Sequence, residues 1–323
     1  MDSAPRKLGF AVKVLGEGGI KTSDTRRWKN KPHLRVSLGY LREVFAYLDR
    51  TGIRMYRMSS DLAPYLTHPE KPGFHGQIAE CLPELRELGA EARKLGLRLS
   101  FHPSQYIVLN SPDPKLLKQS VADVTGQAEM LDAMGMGPEC VVVIHVGGAY
   151  GDRASGRERW AKAFAALPEP ARRRLVLEND DTRFSAADVL WVHGETGVPL
   201  VFDHQHFWCF NPERLDLHDT ARRFLATWPA GARPKIHFSS PRTEAREVKR
   251  AGSSPGKPEA VLQPPVWTGH ADFANPFEFI AFMRAMQEAE FDVMLEAKSK
   301  DLAVLRLRAD IGEYAPDLAE QFA

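Results

Sequence analysis

The sequence predicts a single (β/α)8 barrel, the TIM-barrel fold, over residues 1–323. Short apolar runs rich in β-branched residues alternate with longer amphipathic segments, a pattern typical of parallel strands covered by helices. The 323 residues could also form two ordinary domains, but no linker rich in Gly, Ser and Pro divides them. The eight predicted strands are Leu8–Val14, Ile53–Met58, Leu97–Phe101, Cys140–Val146, Leu175–Leu177, Val198–Phe202, Pro234–Phe238 and Phe291–Leu295.

The composition is that of a water-soluble enzyme. No run of apolar residues is long enough for a membrane span, and the first residues lack the apolar core of a signal peptide. We therefore expect a cytoplasmic protein that acts at the nucleoid. Cys81, Cys140 and Cys209 are far apart in apolar contexts, so we predict buried free thiols in a reducing compartment.

The net charge of +1 gives no indication of a nucleic-acid partner, but the charge is unevenly distributed. The stretch Lys21–Arg35 has six basic residues and one acid, and the stretch Arg242–Lys257 has five basic residues and two acids. We predict that both are loops, the second within a long loop insertion at about 242–265. They are either ordinary solvated charge or, if they share one face of the barrel, a surface for a phosphate backbone.

Potential metal ligands lie near the ends of six consecutive predicted strands, the third to the eighth. In this fold the C-terminal ends of the strands carry the active site. One such histidine or carboxylate is usually a structural hydrogen-bonding group. Three carboxylates and four histidines in one place, however, are costly to bury without a compensating cation. The candidate ligands are His102, His145, Glu178, Asp203, His206, His237 and Glu296.

Mixed imidazole and carboxylate ligation suits manganese, zinc, iron or cobalt better than calcium or magnesium. The absence of thiolate ligands argues against a structural zinc site. The number of candidate ligands exceeds what one ion needs, so we predict two or three divalent ions, which is typical of phosphoester cleavage. His68 and His270, on predicted loops, are further candidates.

Lys235 is two residues from His237, so both side chains point to the same side of the seventh strand. An ammonium group beside metal ions would be repelled. The lysine could be deprotonated, contact a substrate phosphate, or be modified to an anion. The simpler alternative is that it neutralises Asp203 or Glu178.

Six motifs, in this order along nearly the whole chain, resemble those of the UV damage endonuclease family. They are FHPSQY at 101–106, HVGGAYG at 145–151, LEND at 177–180, Asp203 with His206, KIH at 235–237, and EAK at 296–298. Each motif alone is of modest specificity, but the ordered set is specific.

The resemblance implies an ATP-independent repair enzyme that needs no nucleotide cofactor and nicks duplex DNA immediately 5′ of a lesion. The lesions of the family are cyclobutane pyrimidine dimers, 6-4 photoproducts and abasic sites, and its TIM barrel is related to those of endonuclease IV and the xylose isomerase-like enzymes. The resemblance also implies manganese ions held by the candidate ligands above, including His68 and His270. It implies a carboxylated lysine at Lys235, which would act with Glu178 and Glu296 in catalysis.

Gln105 and Tyr106 match the pair that probes the flipped-out lesion in the family. A crosslinked dinucleotide must leave the stack before it is inspected, and an aromatic ring can then fill the vacated space. The alternative is an ordinary polar loop.

The N-terminal segment contributes further expected DNA contacts. Arg26 and Arg27 belong to the first basic stretch. Phe10 stands where the family commonly has tyrosine, and Val14 stands where it has asparagine, both near the lesion pocket that the resemblance implies.

Three alternatives share parts of this pattern. They are an abasic-site endonuclease without photoproduct activity, a sugar isomerase of the same barrel superfamily, and a DNA-binding protein without catalysis. The basic stretches and the Gln105–Tyr106 pair argue against the isomerase, and the many predicted ligands argue against a mere binding protein. We expect damaged duplex DNA as the partner, with no membrane and no obligate protein partner.

Overall fold

The computed structural model describes residues 4–251 and 258–322. Eight parallel strands form one sheet, and a parallel bridge between Phe101 and Val142 joins its two outer strands. The predicted barrel and all eight predicted strands are therefore confirmed. The described residues form twelve strands, which are β1 Leu8–Ala11, β2 Met55–Arg57, β3 Arg98–Ser100, β4 Val142–His145, β5 Leu175–Glu178, β6 Leu200–Asp203, β7 Lys235–Phe238, β8 Pro241–Arg242, β9 Arg246–Ala251, β10 Pro258–Gln263, β11 Val266–His270 and β12 Asp292–Leu295. The barrel consists of β1 to β7 and β12, in the order β3-β2-β1-β12-β7-β6-β5-β4.

Helices surround the barrel, and their ends follow the local chemistry of the sequence. The longest begins at Pro114, after Asp113 caps it by accepting a hydrogen bond from the backbone N–H of Lys115 at 2.8 Å. The helices are α1 Leu34–Thr51, α2 Gln77–Glu80, α3 Leu82–Lys94, α4 Pro114–Ala133, α5 Arg153–Ala165, α6 Glu169–Arg174, α7 Ala186–Thr196, α8 His204–Cys209, α9 Leu217–Leu225, α10 Pro276–Ala285, α11 Lys300–Tyr314 and α12 Pro316–Ala319.

Alternation along the strands separates the barrel interior from the layer between barrel and helices. Val143, Val176 and Val201 belong to one small interior cluster, and each lies two residues before a candidate ligand. Because side chains two apart on a strand point the same way, the ligands also point into the barrel. Phe10 belongs instead to the large cluster under the helices.

The N-terminal end of the barrel is closed by a buried ion pair. Arg98 of β3 and Asp292 of β12 are 1% and 2% exposed in their side chains, and Nη1 of Arg98 lies 2.9 Å from Oδ2 of Asp292. The Arg98 guanidinium also lies 5.4 Å from the centre of the Trp228 ring. The ligands therefore lie at the opposite end, the mouth of the barrel.

The predicted long loop at about 242–265 is wrong, because the segment forms antiparallel strands. β8 pairs with β11, and β9 pairs with β10 over a ladder that includes Glu247 opposite Leu262. We call residues 241–270 the arm. Pro241 and Pro258 begin strands, and Pro264 and Pro265 lie between β10 and β11, where a missing backbone N–H is tolerated. Lys257, one of the basic residues counted in this segment, lies outside the described residues.

None of the helices among the described residues has the length and apolar character needed to cross a bilayer. The three cysteines are free, as predicted. Cys81 and Cys140 are buried, but Cys209 is only partly so, because it lies at the end of α8 beside the arm.

Candidate metal centre at the barrel mouth

The candidate ligands meet because their strands end at the same level. In the register of the sheet, His145 is opposite Glu178, and Asp203 is opposite His237. The side chain of Asn179 fixes the end of β6, since its amide donates to the carbonyl of Asp203 at 3.0 Å and accepts from the N–H of Asp203 at 2.8 Å.

Glu178 is the centre of this group, and it is fully buried. Its Oε2 lies 3.0 Å from Nε2 of His102 and 3.6 Å from Nε2 of His145. Its Oε1 lies 2.8 Å from Nδ1 of His237 and 3.6 Å from Nδ1 of His206. One carboxylate therefore contacts four imidazoles.

Three ligand triads share Glu178. Within each, the ligand atoms all lie within 4.8 Å of one another, which a single ion could span. The triads are His102–His145–Glu178, Glu178–Asp203–His206 and Glu178–His237–Glu296. Seven of the nine predicted metal ligands are thus brought together.

The hydrogen bonds of two histidines, His102 and His206, leave one ring nitrogen of each available to a metal ion. Nδ1 of His102 lies 3.0 Å from the carbonyl of Pro103, so we assign the ring proton to Nδ1. The lone pair of Nε2 then faces the Glu178 carboxylate, and two acceptors at this distance need a proton or a cation between them. In His206, Nδ1 lies 3.0 Å from the carbonyl of Asn179, so we assign the ring proton to Nδ1, which leaves Nε2 as the nitrogen that can bind a metal ion.

Burial leaves other polar atoms of the site unpartnered. Oδ2 of Asp203 and Nδ1 of His145 are buried and have no hydrogen-bond partner among the described residues. Leaving such atoms without a partner costs free energy. The residues present therefore fit a bound divalent cation.

The pKa values of the site depart from their ordinary ranges. Burial, with the positive charge of Arg57, lowers the pKa of His102 to about 3. Burial and two neighbouring imidazoles lower the pKa of His145 to about 3. Burial raises the pKa of Glu178 well above its usual value, and the nearby carboxylates of Glu296 and Asp203 raise it further. His102 and His145 are therefore neutral and ready to ligate, whereas Glu178 must first lose a proton. Burial would lower the pKa of His206, but the carboxylates of Asp203 and Glu296 raise it above its usual value.

Lys235 lies inside the barrel, below the ligands, and is fully buried. Its Nζ has no hydrogen-bond partner among the described residues. Burial and the positive charges of Arg57 and Arg98 hold the pKa of Lys235 well below its usual value. The alternative in which Lys235 forms a simple ion pair with Asp203 or Glu178 is not supported, since no such pair occurs in the described part of the chain.

Arg57, the last residue of β2, is a site residue that the sequence analysis missed. Its buried guanidinium donates a hydrogen bond to the carboxylate of Glu296 and lies 3.0 Å from Nε2 of His237. Burial would raise the pKa of Glu296, but the positive charge of Arg57 holds it well below its usual value. Arg57 stands at the C-terminal end of its strand, the same position from which the candidate metal ligands were predicted.

The two loop histidines differ in their placement. His270, at the end of β11, has Nδ1 3.8 Å from Oε2 of Glu296, so the arm returns a histidine to the site. His68 is absent from the three triads, and its Nδ1 accepts a hydrogen bond from the N–H of Glu70 at 3.2 Å. The structure therefore leaves the prediction of His68 as a ligand without support.

Gln105 and Tyr106 lie on the loop that follows His102. Both are exposed, and Tyr106 is exposed by 72%. A turn closed by the N–H of Ile107 on the carbonyl of Ser104 presents them to solvent. Phe10, by contrast, is fully buried against Tyr56, because it points away from the barrel interior. From that position it cannot contact DNA.

The first basic stretch is folded back on α1. Arg26 is paired with buried Asp24, whose carboxylate also accepts from the N–H of His33 at 2.9 Å. Arg35 lies within α1 and pairs with Glu84 at 2.6 Å. Arg27 is exposed. The predicted loop is therefore held in place by ion pairs and hydrogen bonds, and its last residue, Arg35, belongs to α1.

Replacing Asp24 with asparagine is expected to lower the free energy of unfolding by about 1–2 kcal/mol at pH 7, because charge-assisted hydrogen bonds are lost from a buried group. Hydrogen bonds from Arg26 lower the pKa of Asp24 from 3.8 to about 2. A lowered pKa stabilises the folded state above the unfolded value, and the effect is lost as the pH falls from about 4 to about 2. Thermal unfolding across this range should show the two proteins converging. Asp49→Asn, which affects an exposed ion pair with Arg54, should change little at any pH.

The family model for UV-endonuclease UvdE matches residues 34–317, most of the chain. The chain belongs to the UV-endonuclease UvdE family. A UV DNA damage endonuclease of Bacillus velezensis is 34% identical over 264 residues, 81% of this chain and 76% of that protein. One of Bacillus pumilus is 34% identical over 258 residues, 79% and 74% of the two chains.

One solved structure agrees with this membership in the UvdE family, and a second shares the fold. The crystal structure of SacUVDE matches with a TM-score of 0.77 at 27% identity, over 95% of this chain and 98% of that one. Endonuclease IV from Thermus thermophilus matches with a TM-score of 0.55 at 17% identity, over 96% and 100% of the two chains. The second likeness shows the shared barrel fold alone.

Proposed function

We propose that this chain is a metal-dependent DNA repair endonuclease that nicks duplex DNA immediately 5′ of cyclobutane dimers, 6-4 photoproducts and abasic sites. The observation that carries the proposal is Glu178, a buried carboxylate shared by three ligand triads at the barrel mouth. The names of the related UV DNA damage endonucleases support the same substrate class.

The residues of the mouth would hold two or three divalent ions, for which we propose manganese, with zinc, cobalt or iron as alternatives. When bound, such ions supply Lewis acidity at a phosphate and lower the pKa of water. Glu178 and Glu296 would contribute shared carboxylate ligands, while Asp203 and the four histidines would complete the cage. Arg57 would keep Glu296 ionised through its hydrogen bond.

Lys235 would complete the cage as a carbamate. Its low pKa favours the neutral amine, which is the form that attacks carbon dioxide. The reaction joins the Lys235 nitrogen to the carbon of CO2, releases one proton, and leaves a carboxylate on the side chain. An anion at this point would explain why a lysine is buried below residues that would bind metal cations. Intact-mass analysis under native conditions would detect the added CO2.

DNA would lie across the mouth, with Gln105 and Tyr106 at the lesion. Both residues lie on the exposed loop, three and four residues after His102. The gap that a flipped-out lesion leaves in the base stack would therefore lie beside the cleavage site. Arg27 and the other exposed cations of the first basic stretch would contact phosphates, which makes binding salt-dependent.

The deciding experiment is a nicking assay on three matched duplexes that carry a cyclobutane dimer, an abasic site or no lesion. We expect cleavage 5′ of both lesions and none of the undamaged duplex. Cleavage of the abasic duplex alone would support the alternative of an abasic-site endonuclease. Failure on all three, with turnover of a ketose or aldose instead, would support a sugar isomerase. Activity of this kind needs no protein partner, and we place it at the chromosome in the cytoplasm.

A further inference from the structure

Tyr150 is an exposed aromatic residue at the barrel mouth that has no part in the site described above. It lies five residues after His145, in the loop between β4 and α5, and is exposed by 49%. An aromatic ring this exposed leaves apolar surface in water. Such a ring beside a proposed DNA-binding site is a candidate for stacking on a base.

The backbone at Tyr150 is held in an unfavourable conformation. Its φ is 50°, in the left-handed region that favours glycine. Gly151 follows directly with a φ of 89°. Its conformational freedom does not reduce the backbone strain at position 150. Strain of this kind persists where the surroundings fix it, and it occurs most often at functional sites.

The surroundings do fix the ring. The guanidinium of Arg159 lies 5.6 Å from the centre of the Tyr150 ring. A Cβ on Gly148 would lie 2.9 Å from two ring atoms, so the glycine leaves room for the ring to lie against the backbone. The side chain is therefore positioned before any ligand binds, which reduces the entropy lost on binding.

The loop of Tyr150 and the loop of Tyr106 form one unit. Buried Asn110, at the end of the Tyr106 loop, donates to the carbonyl of Gly148 at 2.7 Å. The carbonyl of Asn110 accepts from Nε of Arg159 at 2.9 Å. A Cβ on Gly147 would lie 2.5 Å from Oδ1 of Asn110, so the two loops are in close contact. Since β3 and β4 are neighbours in the barrel, both tyrosines lie on neighbouring loops of the mouth.

We propose that Tyr150 is a second aromatic contact with DNA, which stacks on a nucleobase beside the position that Tyr106 probes. The proposal rests on the proposed function, since it names a further contact with the same DNA substrate. Fixed aromatic rings on two joined loops recognise unstacked bases, which a flipped lesion leaves exposed on both strands. Arg159 would support the ring from the protein side.

The test is the binding of a dimer-containing duplex, measured by fluorescence anisotropy, in variants of Tyr150 and of a matched control. Tyr150→Leu keeps apolar bulk but removes the ring, and it should weaken binding by about five- to a hundredfold, the loss typical of one stacked base. Tyr150→Phe keeps the ring and should bind like the unsubstituted protein. Tyr314→Leu is the control, because Tyr314 is 45% exposed at the end of α11 and should leave binding unchanged.

A second readout separates a DNA contact from a merely structural role. A fluorescent base analogue next to the dimer should be unstacked by the unsubstituted protein and less so by Tyr150→Leu, while the melting temperature stays within the range of the control. If Tyr150→Leu binds as tightly as Tyr314→Leu, or if Tyr150→Phe is as weak as Tyr150→Leu, stacking by Tyr150 is excluded. If the unsubstituted protein neither binds nor nicks the damaged duplex, the proposed function fails first, and this inference fails with it.

Discussion

Replacing Glu178 with glutamine is expected to reduce nicking of dimer-containing DNA by about a thousandfold or more, a loss of several kcal/mol of transition-state stabilisation. The reason is geometric. Glu178 belongs to all three ligand triads, so the loss of its charge weakens every one of them together. Glutamine has the same shape and carries no charge to bury, so the fold should be kept. Cleavage rates of a labelled duplex under single-turnover conditions measure the effect.

Glu169→Gln is the matched control for this substitution. Glu169 begins α6 and forms an exposed ion pair with Arg173 at 3.2 Å, so the same chemical change should leave nicking as it was. Circular dichroism and thermal unfolding should find both variants folded. Full activity in Glu178→Gln would mean that the triads are not the catalytic centre, and the proposed function would have to be abandoned.

The ligands could be predicted from the sequence because two simple rules apply to them together. Strand side chains alternate, and parallel strands of a barrel end at one mouth. Glu178 and Asp203 each come directly after a predicted apolar strand. The predicted strands alone therefore place both residues at the mouth of the barrel. The distances between them could not be predicted, because those depend on the register of neighbouring strands.

Other residues escaped prediction for physical reasons. Arg57 could not be predicted from the pattern of metal-ligating residues at strand ends, because a guanidinium is not a metal ligand. Phe10 was expected near DNA because it stands where the family commonly has tyrosine, but alternation along β1 turns it under the helices, while Gly9 and Ala11 face the interior. The strands of the arm could not be predicted, because its prolines and polar residues hide the alternation of these short strands.

Removing divalent metal with a chelator is expected to abolish nicking, and adding Mn²⁺ should restore it. Six other candidate ligands surround Glu178, and Oδ2 of Asp203 and Nδ1 of His145 have no hydrogen-bond partner among the described residues. A cation bound only to the folded state also stabilises it, by about 2.7 kcal/mol when its concentration is a hundred times Kd. The melting temperature of the chelated protein should therefore rise on addition of Mn²⁺, while that of Glu178→Gln should rise much less.

The pH dependence of this metal effect follows from the same site. His102 and His145 have pKa values of about 3, so protons do not compete for them in the usual working range. The pKa of Glu178 is raised, so in the metal-free protein it keeps its proton to a higher pH than an ordinary carboxyl. Because only the carboxylate ligates, metal affinity should increase as the pH rises toward that pKa, with release of a proton on binding. Isothermal titration calorimetry in buffers of different ionisation enthalpy measures this proton. Two results together would contradict the proposed metal site. They are a metal affinity that does not change with pH and nicking that survives chelation. The cation that compensates the buried carboxylates would then be Arg57 alone.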